Sequence, residues 1–336
     1  MSPVPLPVPR PGAAHAAALG LGAYRPSRLV PNDDLVAAID SSDEWIQQRS
    51  GIRTRRWAAE HETVQSMSVA ASREAIEQAG IAPEQIDAVI VATVTHMLQT
   101  PALAPAVAHE LGLSRPAAFD VSAACAGFCH AVALASDMIR GGSARYALVI
   151  GVEKLSDITD PRDRGSAFIF GDGAGAVVVS ASDEAGIGPT VWGSDGGQWD
   201  VITQNQPWDQ LREDKDLEWP TLRMAGQSVF RWAVWQMAPV ARKAIEAAGI
   251  TPDDLDAFIP HQANVRIIDA MVKQLALPAH VPVARDIAET GNTSAASIPL
   301  AMHRMLADGD APSGGLALLI GFGAGLAYAA QVVRLP

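Results

Sequence analysis

Apolar and polar positions fall into two patterns along this 336-residue chain. Short runs in which nearly every side chain is apolar, such as Ala88 to Thr93 and Ala147 to Val152, read as strands covered on both faces. Longer stretches with helical spacing lie between them; Ala126 to Arg140 has few breakers until Gly141-Gly142 stops it. Phe119-Asp120-Val121 reads as the end of one more short strand just before that helix. Strands buried on both sides need helices on both sides, which predicts an α/β fold.

The pattern occurs twice. AIEQAGIAPEQIDAVIVA from Ala75 matches AIEAAGITPDDLDAFIPH from Ala244, 169 residues later. Tyr146 to Gly151 recurs as Leu316 to Gly321 at an offset of 170, and Ser122 to Cys125 as Ser294 to Ser297 at an offset of 172. Three matches in one order imply an internally duplicated fold, with a flexible proline-rich leader over 1–14 and halves over 15–185 and 186–336. Pseudo-twofold packing would bring equivalent strand ends together, where ligands favour binding. Residues 195–220, polar and rich in Trp, Gln and Asp, match nothing in the first half and read as an inserted lid or entrance wall, or else as a plain surface excursion.

Composition narrows the function. A hydrophobic content of 49% implies a globular chain, and a net charge of -12 argues against a nucleic-acid surface. Neither a signal peptide nor a membrane span is expected, so a cytoplasmic setting fits best. With only two cysteines, Cys125 and Cys129, a disulfide framework is excluded and no metal site is expected.

Cys125 stands at a strand-to-helix junction, where free amides and the helix dipole should lower a thiol's pKa. Cys129, one turn on, reads as core. His261 directly follows the second-half strand at the repeat position of Ala92, with His96 as its one rival, and Asn292 precedes the helix that pairs by repeat with that of Cys125. As a turn or N-cap residue Asn292 would also be explained. Together the three suit thioester chemistry: a thiolate to take an acyl group, and imidazole and amide donors to hold an enolate oxyanion. Gly171-Asp172-Gly173-Ala174-Gly175 is followed by a strand, not the helix a phosphate cradle needs, so its glycines are expected to permit close packing.

From about Ala16 to Leu335 the chain resembles the β-ketoacyl-[acyl carrier protein] synthase III family of thiolase-like condensing enzymes. The resemblance is carried by Ser42-Asp43-Glu44-Trp45-Ile46, Arg49-Ser50-Gly51-Ile52-Arg53, Ala124-Cys125-Ala126-Gly127-Phe128, Asp163-Arg164-Gly165 and Phe170 to Ala176. Pro260-His261-Gln262-Ala263-Asn264, Gly291 to Ser297 and Gly321-Phe322-Gly323-Ala324-Gly325 complete it. It implies a five-layer αβαβα fold, a homodimer and a Cys125, His261, Asn292 triad without a cofactor. Acyl-CoA would load Cys125, and malonyl-[acyl carrier protein] would supply the enolate by decarboxylation. The amides of Cys125 and Ala324 would form the oxyanion hole; alanine at 324, where many relatives have glycine, requires a negative φ. Trp45 and Arg164 would clasp adenine, Arg49 would meet phosphate, and Gly226, Phe230 and Asn264 would line the pantetheine tunnel. Arg231, Arg266 and Lys273 would dock the acidic carrier. Thr100 falls where the family reaches across the dimer into the acyl pocket; its small size implies primers longer or more branched than acetyl.

Other readings fit less well. A thiolase would carry a second cysteine near Gly323-Ala324-Gly325, and synthases I and II a second histidine at position 292. A papain-type hydrolase has no such duplication. A non-catalytic carrier-binding subunit would not need Cys125, His261 and Asn292 intact. The motifs are shared between fatty acid synthases and starter enzymes of specialised polyketide pathways.

Overall fold

A computed structural model describes residues 12–214 and 216–336, so most of the expected leader lies outside the described residues. The last of that leader is packed rather than loose: Ala13 N–H donates to Ile139 O, and a side chain on Gly12 would collide with Arg140 O.

Two sheets form the frame. The first runs in the order His15–Tyr24, Asp172–Ser182, Tyr146–Lys154, Ala88–Ala92, Ala117–Val121. Its last three strands are parallel, and the other two pair antiparallel. The second runs Ala257–Pro260, Leu316–Gly323, Ala327–Arg334, Val191–Ser194, with only its first pair parallel. A single parallel bridge from Phe258 to Val283 marks where the first sheet has its fifth strand.

The helices Gly127–Arg140 and Ser297–Ala307 are sandwiched between the sheets, and one continuous core joins their Phe128, Ala131, Ile298 and Met302 to strand residues of both. Val64–Ala79 and Leu103–Glu110 cover the outer face of the first sheet, and Gly226–Ala247 and Val265–Leu275 that of the second. This is the five-layer αβαβα arrangement. Every residue of Ala88–Ala92 and Ala257–Pro260 is buried, which explains why these strands show no alternation.

Local signals set the helix ends. Thr63 and Ser66 form a reciprocal capping box at the start of Val64–Ala79. Ser42 Oγ accepts from Trp45 N–H to start Asp43–Ser50, and Gly51, at φ 80, ends it.

The glycines around 171–175 serve close packing, as expected. A Cβ on Gly171 would lie 2.1 Å from Thr290 O, and one on Gly175 2.6 Å from Pro299 Cβ. Strand Asp172–Ser182 thereby presses directly on the segment that carries Asn292.

Candidate active site

Cys125 lies in a 3-10 turn, Ala124–Ala126, immediately before the central helix. Ala124 takes φ 44 there, and Ser294, opening the equivalent turn Ser294–Ala296, takes φ 47. This pair of left-handed residues, followed by helices starting at Gly127 and Ser297, sets the repeat offset at 170. The expected pairing of Cys125 with Ser297 is therefore two residues out, and Ala295 is the true counterpart of Cys125. Strings of Ser and Ala fit more than one register, whereas the strained backbone fits one.

The second sheet closes over the thiol. A Cβ on Gly323 would stand 2.9 Å from Cys125 Sγ, and one on Gly321 2.9 Å from Cys125 O. Burial pushes the Cys125 thiol up to about 12, with the Glu153 charge adding to it and a Ser294 hydrogen bond opposing it. The expected lowering by the helix start is overridden, because desolvation of a thiolate outweighs a turn of partial charge. Cys129 is fully buried core, as expected.

His261 is buried at the end of Ala257–Pro260, with its ring edge-on to Phe322. Its Nδ1 lies 2.7 Å from Ser297 Oγ, which also accepts from Gln262 N–H at 3.3 Å. With the Ser297 hydroxyl as the donor to Nδ1, the imidazole proton rests on Nε2. Burial holds the imidazolium form down to about 3, so the ring is neutral.

Asn292 is stitched into the first half: its N–H donates to Ile169 O, and its carbonyl accepts from Gly171 N–H. Its Oδ1 accepts from Ser294 N–H at 2.8 Å, which makes Nδ2 the group free to donate. The side chain is thus a turn former and a donor at once.

Cys125, His261, Asn292 and Ala324 all face one cavity of about 310 Å³. Ala324 keeps a negative φ while Gly325, at φ 134, makes the turn, so the expected condition on alanine is met. His96 is not on the cavity; its Nε2 lies 3.2 Å from Pro101 O. Leu155, Ile158, Ile169, Leu222 and Met224 give the inner wall an apolar character. Ile202, Thr203 and Gln204, from within the unmatched segment, pair with Leu222–Met224 in a ribbon that lines the cavity, while Trp199, Trp208 and Trp219 of the same segment are exposed.

Gly226 and Phe230, on the first turns of Gly226–Ala247, line the same cavity. Asn264 lines it too, but both ends of its amide are engaged: Oδ1 caps Val265–Leu275 at Arg266 N–H, and Nδ2 donates to Arg49 O at 2.9 Å. Outside the mouth, half-buried Trp45 lies under the Arg164 guanidinium at 5.1 Å and the Arg49 guanidinium at 5.5 Å, its edge packed on Phe168. Arg266 stacks on Phe230 at 5.2 Å, joining the cavity wall to the surface. Lys273 lies two turns further along that helix, and Arg231 is exposed on the adjacent one. Thr100 is exposed and does not line this cavity.

Sequence reasoning missed Glu153, Ser294 and Ser297 as site residues. Glu153 carried a signal: a carboxylate at the end of an otherwise apolar strand, here fully buried. Among the described residues no cluster of His, Cys, Asp or Glu is placed to hold a metal, and no helix is long and apolar enough to cross a membrane.

Two like halves in five layers, closed around one tunnel with a cysteine at its floor, define the class: an acyl-transferring condensing enzyme of thiolase-like fold. Family models described as 3-oxoacyl-[acyl-carrier-protein] synthase III and its C-terminal region match residues 119–196 and 245–335. A β-ketoacyl-[acyl-carrier-protein] synthase III of Streptomyces coelicolor is 59% identical, covering 98% of both chains. One from Mycobacteroides abscessus is 58% identical over 95% of this chain and 94% of the relative. Among solved structures, the priming β-ketosynthase of the R1128 polyketide pathway superposes with a TM-score of 0.96 at 51% identity, covering 98% of both chains. The Pseudomonas aeruginosa synthase III superposes at 0.89 with 40% identity, covering 96% of this chain and 98% of the other. The chain belongs to the β-ketoacyl-[acyl carrier protein] synthase III family.

Proposed function

We propose that the protein condenses an acyl-CoA primer with malonyl-[acyl carrier protein], releasing CoA and CO2, in two half-reactions at Cys125. In the first, Sγ attacks the acyl carbonyl, the thiol proton passes to the departing CoA sulfur, and the acyl oxyanion rests on the Cys125 and Ala324 amides. In the second, the malonyl carboxylate leaves as CO2, and the electron pair left behind forms a thioester enolate. Its oxygen is held by Nε2–H of His261 and the Asn292 amide. The enolate carbon then attacks the acyl carbon, expels the Cys125 thiolate and gives the 3-oxoacyl-carrier product. The observation that carries this reading is that Cys125, neutral His261 and the free Asn292 donor share one largely apolar cavity.

The half over 15–185 then supplies the nucleophile, and that over 186–336 the imidazole and amide. Trp45, Arg164 and Arg49 suit an adenine and phosphate at the mouth, with pantetheine passing Gly226, Phe230 and Asn264. Arg231, Arg266 and Lys273, which form no ion pair among the described residues, suit an acidic carrier. A homodimer would use the free edge strand Ala117–Val121 and the exposed Met97, Leu98 and Thr100, and would place a small threonine at the partner's acyl end. Primers longer or more branched than acetyl follow from that.

Intact-mass measurement with a panel of acyl-CoAs, followed by malonyl-carrier, tests the reading. An acyl adduct mapping to Cys125 and discharged by malonyl-carrier is expected. Absence of an adduct refutes the reaction, and strong preference for acetyl-CoA over all longer primers refutes the primer assignment.

A further inference from the structure

Behind the nucleophile lies a carboxyl group that the reaction as written does not use. Glu153 is the next-to-last residue of the strand Tyr146–Lys154 and is completely buried. Its Oε2 accepts three hydrogen bonds from the turn after Ala88–Ala92: Thr95 Oγ1 at 2.7 Å, Val94 N–H at 3.1 Å and Thr93 Oγ1 at 3.3 Å. Its Oε1 faces one group, the Ser294 hydroxyl, at 3.1 Å. Ser294 lines the same cavity as Cys125, on a turn packed against the nucleophile's own, and its N–H is held by Asn292 Oδ1. One hydroxyl thus sits between a buried carboxyl group and the nucleophile.

A hydroxyl has one proton to give. If Glu153 is ionised, that proton goes to Oε1, and a negative charge also faces the sulfur. If Glu153 is neutral, the three groups already gathered on Oε2, the fixed Val94 N–H among them, favour Oε1 for its proton. Oε1–H then donates to Ser294 Oγ, and the Ser294 proton turns to Sγ. We propose that Glu153 is a positioning residue that acts through Ser294 as a polarity switch on Cys125. As a carboxylic acid it directs the Ser294 hydroxyl to stabilise the Cys125 thiolate, and as a carboxylate it withdraws that hydroxyl. This deepens the reading of Cys125 as nucleophile and rests on it.

The surroundings poise Glu153 between its two forms near neutral pH. Burial raises the Glu153 carboxyl to about 7. Other titratable or charged groups on the elements around it are otherwise engaged or turned away. Lys154 Nζ donates to Ala59 O, Asp172 accepts from Ala58 N–H and Ser156, and His130 Nδ1 pairs with Ala126 O. Cys129 is core, and Arg73, Glu74, Glu77, Asp137 and Arg140 are exposed on their helices. Cys125 is the group whose ionisation Glu153 opposes.

The test is the rate of Cys125 alkylation by iodoacetamide from pH 5.5 to 9.5, followed by intact mass with peptide mapping. The wild-type rate should rise with pH but flatten near pH 7, where Glu153 ionises and raises the thiol pKa. Glu153→Gln, which still donates to Ser294, should lose that inflection and alkylate about tenfold faster at pH 8.5, the effect of one unit in thiol pKa. Ser294→Ala should weaken the inflection to what the Glu153 charge alone produces and react more slowly at pH 6. A Glu153→Gln profile that keeps the wild-type inflection overturns the switch. So does a Ser294→Ala profile identical to wild type, which stays informative if the Glu153 variant does not fold. Alkylation does not need acyl-CoA, so failure of wild-type protein to form an acyl adduct is a separate result that overturns the reaction instead.

Discussion

Asn292→Ala separates the two half-reactions. The substitution removes two things: Nδ2, the donor assigned to the enolate oxygen, and Oδ1, the acceptor for Ser294 N–H at 2.8 Å. Loss of one preorganised oxyanion donor costs about 2.7–4 kcal/mol of transition-state stabilisation, so condensation should fall by roughly 10²–10³. Loss of the acceptor orphans an amide on Ser294, which is 3% exposed, at a cost of about 1–3 kcal/mol in stability. Acylation of Cys125 uses neither group and should stay within a few fold of wild type. Single-turnover intact-mass kinetics would report acylation, release of CO2 from malonyl-carrier would report decarboxylation, and denaturant unfolding would report stability. Asn292→Asp sharpens the test: its carboxylate can still accept from Ser294 N–H but cannot donate. Stability should therefore recover relative to the alanine variant while condensation stays lost. If acylation fell as far as condensation, or if either variant condensed normally, Asn292 would not act on the enolate.

Ser297→Ala should leave Nδ1 of His261 without its 2.7 Å partner, lowering condensation at least tenfold and stability by about 1–3 kcal/mol, measured by product formation and chemical unfolding. Because burial holds His261 near 3 against an ordinary value of 6.5, the unfolded chain takes up a proton below pH 6.5 that the folded chain does not. That stability is present above pH 6.5 and lost as pH falls, by up to about 1.4 kcal/mol per pH unit; His261→Asn should remove this slope between pH 6 and 5 in denaturant titrations. Arg164→Ala, which loses the 5.1 Å stack on Trp45, should raise KM for acyl-CoA about two- to tenfold and leave a truncated pantetheine thioester unaffected. Gly175→Ala should drive a methyl to within 2.6 Å of Pro299 and cost about 1–3 kcal/mol in thermal unfolding.

The layers of this fold were legible because burial leaves a direct mark on sequence. Ala88–Ala92 and Ala257–Pro260 are apolar throughout because helices cover both faces, and their near-identical flanks exposed the duplication. The chemistry-bearing positions could be picked out because strand ends meet across the pseudo-twofold, which brought Cys125, His261 and Asn292 to one cavity. What failed depended on packing between the halves. The lowering of the thiol pKa expected at Cys125 considered only its own helix, whereas the strand Leu316–Gly323 closes over it and desolvation prevails. Ser297 and Ser294 were visible only as small residues in a repeat, since their partners His261 and Glu153 come from distant segments.

The corrected register bears on how a doubled scaffold holds a single nucleophile. With an offset of 170, Ala295 stands where Cys125 does, and the strained position before each is Ala124 in one half and Ser294 in the other. The halves therefore differ at adjacent positions in opposite senses: one places a thiol after a methyl, the other a methyl after a hydroxyl. The two turns pack against each other across the centre of the molecule, so the hydroxyl of one serves the thiol of the other. Symmetry brings the turns together, and divergence at these positions makes the site one-sided. Restoring the repeat in the second half by Ser294→Ala would leave Cys125 in place but remove the hydroxyl between it and Glu153, and that is why this exchange, rather than one at Ser297, is the change that should alter the thiol's reactivity.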